Sequence, residues 1–295
     1  MTKIIHTYNP EEEIWHYIEK LTNSDYVHKL LKYRINNEFF NVGKQTNYSI
    51  DFKKINNIKT AYPVETYEPL SSKDSSLLQV NISEIVTDAI QAVEVYKASK
   101  SVTINSKPIL LYYSFIMLAR ILFLATYKKN YNKLPRSDTH GLDFLDQSEV
   151  KCMRIGAFPR FHDSFSSSPE IYLNELKFSW VDLLKHPTRK FEMEYNFDEH
   201  KLENKIEFSI SNTMIDELTR EILFLYSMSM LARYSPISWI KIVNKTEYGH
   251  KIVEYMRTVQ SLFPNMVFNY LHGEDYNFYP ESRFVGDKEH YEPQF

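Results

Sequence analysis

Apolar residues recur along this chain at two periods, and the changes from one to the other mark out its elements. Val27, Leu30, Leu31, Ile35 and Phe39 stand at helical spacing and predict a helix over 26–40. Ile82, Ile85, Val86, Ala89, Ile90 and Val93 line one face of an amphipathic helix over 81–97. Residues 109–127 are apolar on every face, which predicts a central helix covered on all sides. The period then drops to two. Residues 149–155, 191–195 and 206–210 alternate, with aromatic and β-branched residues at the apolar positions, and predict short strands. Within that region Ser179 to Leu184 reads as a short capped helix stopped by Pro187. Helical spacing returns over 213–234, breaks at Pro236, resumes over 237–243 and runs from about Gly249 to Phe263, where Pro264 predicts its end. The fold class expected is mainly α, a multi-helix bundle with a small antiparallel β insertion at about residues 149–210.

The polar positions supply the punctuation. Asn9-Pro10-Glu11-Glu12-Glu13 has a cap, a proline at the first helical position and acids against the positive helix end, so a helix starts there and runs to about Leu21. Thr22 to Asp25 interrupts it. Residues 41–76 read as a long connection, 128–148 as a loop and 272–295 as an irregular tail. The expected division is therefore an N-terminal helical segment with its connection (1–76), a helical core with the β insertion (77–271) and the tail (272–295).

Composition narrows the chemistry. Six glycines in 295 residues is about a third of the ordinary share, and neither G-x-G-x-x-G nor a P-loop occurs. The single cysteine excludes internal disulfides and cysteine-based zinc modules, and fits a reducing, cytoplasmic setting. A net charge of −3 gives no global nucleic-acid footprint. The first residues lack the apolar run of a signal peptide, with three glutamates by position 13. Arg120 within 109–127 favours a buried core helix over a membrane span. The ten histidines form no metal-ligand spacing, so neither metal nor cofactor is expected. Aromatic residues, at 15%, are abundant.

Four residues stand out as candidates. Tyr113–Arg120 and Tyr226–Arg233 share Y-S-x-x-M-L-A-R, which predicts two similar, adjacent core helices, each burying an arginine near its middle. A buried guanidinium needs a partner, either an internal carboxylate or an anionic ligand. His140, in His140-Gly141-Leu142, puts an imidazole at the start of an element. It can close the loop onto the central helix through backbone hydrogen bonds, or act as a ligand or acid/base group. Arg120, Arg233, His140 and Tyr113 together would make an anion site with a stacking face. Cys152, in an alternating strand, reads as a small buried apolar residue. A HEPN-type ribonuclease pairing of arginine with a nearby histidine has one match in spacing, Arg283–His290, while Arg136–His140 and Arg154–His162 miss. That single match is what chance supplies.

Several segments carry a family likeness. Ala89-Ile90-Gln91, Tyr96-Lys97-Ala98 and Lys107-Pro108 through Tyr112-Tyr113 resemble the front of the YaaC-like proteins of bacteria. The likeness continues in order through His140-Gly141-Leu142, Glu149-Val150-Lys151, Gly156 to Phe161, Ser229 to Tyr234 with Trp239, and Phe263 to Asn269. It spans roughly 77–271. Ser114 stands where the family usually has glycine, and Asp143 to Asp146 replaces a basic run. The resemblance implies a mainly helical bacterial protein with no assigned enzymatic activity and an association with antiphage defence genes. With no catalytic constellation in the chain, the expected function is non-catalytic or regulatory, through protein assembly (a protein partner or homo-oligomer) or a small anionic, nucleotide-like ligand. Neither a membrane nor a nucleic acid is expected as partner. The alternatives are a nuclease-like toxin using His140 and Arg120, and a structural scaffold whose arginines are internal ion pairs.

Overall fold

The structure, a computed structural model, describes residues 2–37, 70–126, 139–145, 149–153, 156–165, 177–179, 217–246 and 248–280. The order is β1 (Thr2–Thr7), α1 (Pro10–Glu19) with a 3-10 turn at Lys20–Thr22, α2 (Ser24–Asn36), α3 (Ser75–Lys100), α4 (Lys107–Thr126), β2 (Leu142–Leu145), β3 (Glu149–Cys152), α5 (Ala157–Phe165), β4 (Lys177–Ser179), α6 (Glu217–Tyr234), α7 (Pro236–Lys245), α8 (Tyr248–His272) and β5 (Asp275–Pro280). The chain is mainly α with a small antiparallel sheet.

Helix α4 is the hub, packed against α3, α5, α6 and α8. This is why its sequence is apolar all round: every face meets another element. By length and composition it could cross a membrane, yet most of it is buried inside the fold. Leu111, Phe115, Leu118, Ile121 and Leu124 have no more than traces of exposure. Phe115 stacks on Phe263 of α8 at 4.5 Å between centroids, worth about 0.5–1.5 kcal/mol beyond the buried area. The α3–α4 crossing is close because small residues sit in it. Ala89, Ala92 and Ser114 are fully buried, and Ser114 Oγ donates to the Ala92 carbonyl at 2.8 Å. Serine at 114 thus fills the place of a smaller residue without separating the helices. As the repeated motif predicts, α4 and α6 are adjacent and most of their apolar residues are buried.

Helix ends follow the caps. Asn9 Oδ1 accepts from Glu12 N, and Asn23 Oδ1 accepts from the backbone of Asp25 and Tyr26. Because Asn23 caps α2, that helix begins two residues before the predicted start at 26. The C-terminal end of α4 lies inside the protein, so its orphan carbonyls need distant donors. Asn81 Nδ2 reaches Leu124 O at 3.0 Å, Leu70 N reaches Thr126 O at 3.2 Å, and Arg34 Nε reaches Ala125 O at 3.3 Å. Arg34 Nη1 also donates at 2.6 Å to both Tyr270 O and Leu271 O, the last carbonyls of α8. One guanidinium, 1% exposed, therefore caps two helices.

Pro264 does not end its helix. It lies inside α8, which continues to His272. Proline lacks the N–H that would bond to the carbonyl four residues back. That carbonyl, Gln260 O, instead accepts the indole N–H of Trp15 at 2.8 Å.

The antiparallel sheet has the order β2-β3-β4, with Leu142 opposite Cys152 and Val150 opposite Phe178. It begins at Leu142, inside the stretch expected to be loop, and α5 is a helix that the alternating pattern does not predict. Ser179, predicted to open a helix, closes β4; the remainder of that predicted helix, and the strands predicted at 191–195 and 206–210, lie outside the described residues. A second sheet corrects the tail. β5 pairs in parallel with β1, Thr2 opposite Asp275 through Thr7 opposite Pro280, so residues 275–280 are a strand rather than irregular. Phe278 from β5 and Phe268 from α8 flank Tyr17 of α1. Trp15, Ile18, Leu30 and Leu31 of the N-terminal segment belong to the same buried cluster as α3, α4 and α8.

Candidate functional site

His140 and Gly141 are locked by backbone to the start of α5. Ala157 N donates to Thr139 O at 2.8 Å, Phe158 N to His140 O at 2.9 Å, and Met153 N to Gly141 O at 2.8 Å. The first helical N–H groups of α5 are thereby satisfied, and Pro159 has none to satisfy. Gly141 has φ +73°, and a Cβ there would lie 2.4 Å from Pro159 Cδ; a Cβ on Gly156 would lie 2.3 Å from Gly141 Cα. Two glycines pass back to back where no side chain fits. The His140-Gly141 and Gly156-Ala157-Phe158-Pro159 segments, distant in sequence, are the two halves of one clamp.

The clamp aims the His140 ring at the N-terminal half of α4 and the C-terminal half of α6. Its Nδ1 is 2.8 Å from the Tyr112 hydroxyl. Ring centroids lie 5.4 Å from Tyr112, 6.2 Å from Tyr113 and 5.9 Å from Tyr226. Tyr226 Oη donates to Leu142 O at 3.0 Å, and burial with the nearby Asp143 carboxylate pushes its phenol up to about 12, so it stays a donor. Arg233 stands in the last turn of α6, where a cation suits the helix dipole. Its Nη2 donates to the Tyr113 hydroxyl at 2.6 Å and its guanidinium carbon lies 5.4 Å from that ring and 5.5 Å from Tyr234. Burial, then the charge of Arg233, lower the His140 pKa, which leaves the imidazole neutral at pH 7.

His140, Tyr113 and Arg233 therefore come together, and Arg120 does not join them. Seven residues separate Arg120 from Tyr113 on α4, about 10 Å along the axis, and Arg120 Nη1 pairs with Asp88 of α3 at 3.3 Å. The pairing predicted for a helix-embedded arginine holds for Arg120, with a carboxylate as partner. The burial predicted for Arg233 does not. It is exposed, because Ser235-Pro236 ends α6 immediately after it and starts α7. Among the described residues the buried arginine is Arg34, which carried no motif. Cys152 is buried, its thiol pushed up to about 12 by desolvation. Arg283, His290, Arg136 and Arg154 lie outside the described residues.

Tyr112, Tyr226 and Tyr234 complete the cluster without having been singled out for it. The signal for Tyr226 was its alignment with Tyr113 in the repeated motif; Tyr112 was visible as half of a tyrosine pair. Exposed Tyr234 continues into Ile237 and Ile240 of α7, at 64%, 71% and 42% exposure.

A family model described as YaaC-like protein matches residues 52–189 and 170–271, more than half of the chain. No curated protein and no solved structure is significantly similar to it.

Proposed function

We propose that this chain, which belongs to the YaaC-like family, works by binding rather than by catalysis, and that its ligand is a small anion of nucleotide-like chemistry received at Arg233. The observation that supports this is the guanidinium itself: exposed, aligned by the Tyr113 hydroxyl, flanked by two tyrosine rings, and paired with no carboxylate among the described residues. Guanidinium suits phosphate oxygens, and a tyrosine face suits a planar base. Arg120, held by Asp88, has a structural role in this reading. Placement in an antiphage system is part of the proposal only through the family likeness.

Thermal-shift and calorimetric titration with adenosine and guanosine nucleotides test it. Wild type binds and Arg233→Ala loses binding while its melting temperature without ligand stays within a degree or two, since exposed substitutions usually change stability by no more than about 0.5 kcal/mol. No nucleotide-dependent shift in wild type refutes it. A second reading, docking of a protein partner, is favoured by the exposed Tyr234, Ile237 and Ile240 beside Arg233. Arginine and tyrosine with apolar neighbours are typical of binding hot spots. Native mass spectrometry of Ile237→Asp against wild type tests assembly through that face.

A further inference from the structure

His140 carries one feature that a purely structural role does not need. Its Nδ1 is engaged by Tyr112, while Nε2 has no hydrogen-bond partner among the described residues. The ring is half-buried and fixed by the backbone clamp, and Tyr113 lies against both it and Arg233. We propose that the anion received at Arg233 is a dianion, the terminal phosphate of a phosphomonoester, with His140 Nε2–H as its second donor, and that binding brings a proton onto the imidazole. This rests on the reading of Arg233 as a ligand-binding residue.

The proton balance is local. This assigns to the free protein a neutral ring whose Nε2 bears the hydrogen and whose Nδ1 accepts from the Tyr112 hydroxyl. When a dianion sits against Arg233 and Nε2, its charge favours imidazolium. A proton from solvent then enters at Nδ1, which donates to the Tyr112 oxygen; a phenol hydroxyl serves either as donor or as acceptor. Among the described residues, the charged and titratable groups against His140 are Tyr112 and Tyr113 from α4 and Tyr226 and Arg233 from α6, with Asp143 of β2 and Tyr234 of α6 acting on the adjoining Tyr226. Burial is the larger cause that favours the neutral ring; Arg233 adds to it, and a bound dianion offsets that added charge. A phosphodiester, with a single negative charge, does so less. The site should therefore prefer a terminal phosphate to a bridging one.

The experiment uses the full chain and three probes: adenosine 5′-monophosphate, cyclic 3′,5′-adenosine monophosphate, and inorganic sulfate, which remains a dianion from pH 5 to 9. Calorimetry in two buffers of different ionisation enthalpy reads proton uptake. The expected result is tighter binding of the monoester than of the cyclic diester, and sulfate affinity that weakens by up to tenfold per pH unit as pH rises between the free and bound histidine values. His140→Gln, which keeps a donor but no titration, should bind sulfate with no such pH dependence. If Arg233-dependent binding is found but sulfate affinity is flat with pH in wild type, or His140→Gln matches wild type, this inference is overturned and the Arg233 reading stands. Equal affinity for the two nucleotides overturns the phosphomonoester assignment. If none of the three probes binds, both are overturned.

Discussion

Replacing Arg34 with methionine should be among the most damaging single changes in the described core. The side chain keeps its length and apolar stem but loses the guanidinium that bonds Ala125 O, Tyr270 O and Leu271 O. Three carbonyls at the buried ends of α4 and α8 would be left without that donor, and each such orphan costs about 1–3 kcal/mol. Against this, the folded state is relieved of a desolvated cation; burial lowers the Arg34 pKa to about 10, so the relief is real. Taking the lower half of the range for the carbonyls, because a water can enter the vacated space, gives a net loss of about 3 kcal/mol. That is a large part of the 5–15 kcal/mol typical of a folded domain. Urea unfolding followed by circular dichroism measures it. Arg34→Lys, which restores a charged donor but not the fork, should fall between wild type and Arg34→Met and keeps the comparison readable if the methionine variant does not fold. A loss below about 0.5 kcal/mol for Arg34→Met would refute the capping argument.

Three other outcomes follow from particular contacts. Trp15→Phe removes the donor to Gln260 O and should cost about 1–2 kcal/mol in the Pro264 background; in Pro264→Ala the helix supplies its own N–H, so a double-mutant cycle on melting free energies should show that cost largely gone. Gly141→Ala places a side chain at φ +73° against Pro159 and should cost at least about 1–2 kcal/mol, read as a fall of several degrees in melting temperature. Asp88 is raised to about 6, by burial against the opposing charge of Arg120 and with Glu84 adding to the rise. Since the folded state holds that proton more tightly than the unfolded chain, the contribution of Asp88 is fully present below about pH 4 and is lost as pH rises through about 6. Stability of Asp88→Asn minus wild type, measured by urea midpoint at each pH, should increase across that window and level off above it.

The periodicity of single segments was enough to find α3, α4, α6 and α7, because a helix that must bury one face, or all of them, writes that need at 3.6-residue spacing. The cap at Asn9 was legible for the same reason: its hydrogen bond is made within four residues. What local spacing could not carry is any partner far away in the chain. Pro264 reads as a helix end until Trp15, 249 positions earlier, is known to occupy the carbonyl it leaves bare. Arg34 has no motif because its acceptors lie on α4 and α8. The strand at 275–280 pairs with β1 at the other end of the sequence, a partner that spacing within 275–280 cannot reveal. The candidate site divides in the same way. The repeated motif placed Arg120 and Arg233 on neighbouring helices, and His140-Gly141 marked the loop. Tertiary structure then gave Arg120 to Asp88, left Arg233 exposed where α6 stops, and brought His140 to the tyrosines through the two-glycine clamp. Sequence determined most of the long helices and much of what faces inward, since those follow from spacing along one segment, although Ile90 on the predicted apolar face of α3 is exposed; which charges are paired and which meet solvent was decided by contacts between segments, where low-dielectric burial makes each pairing count.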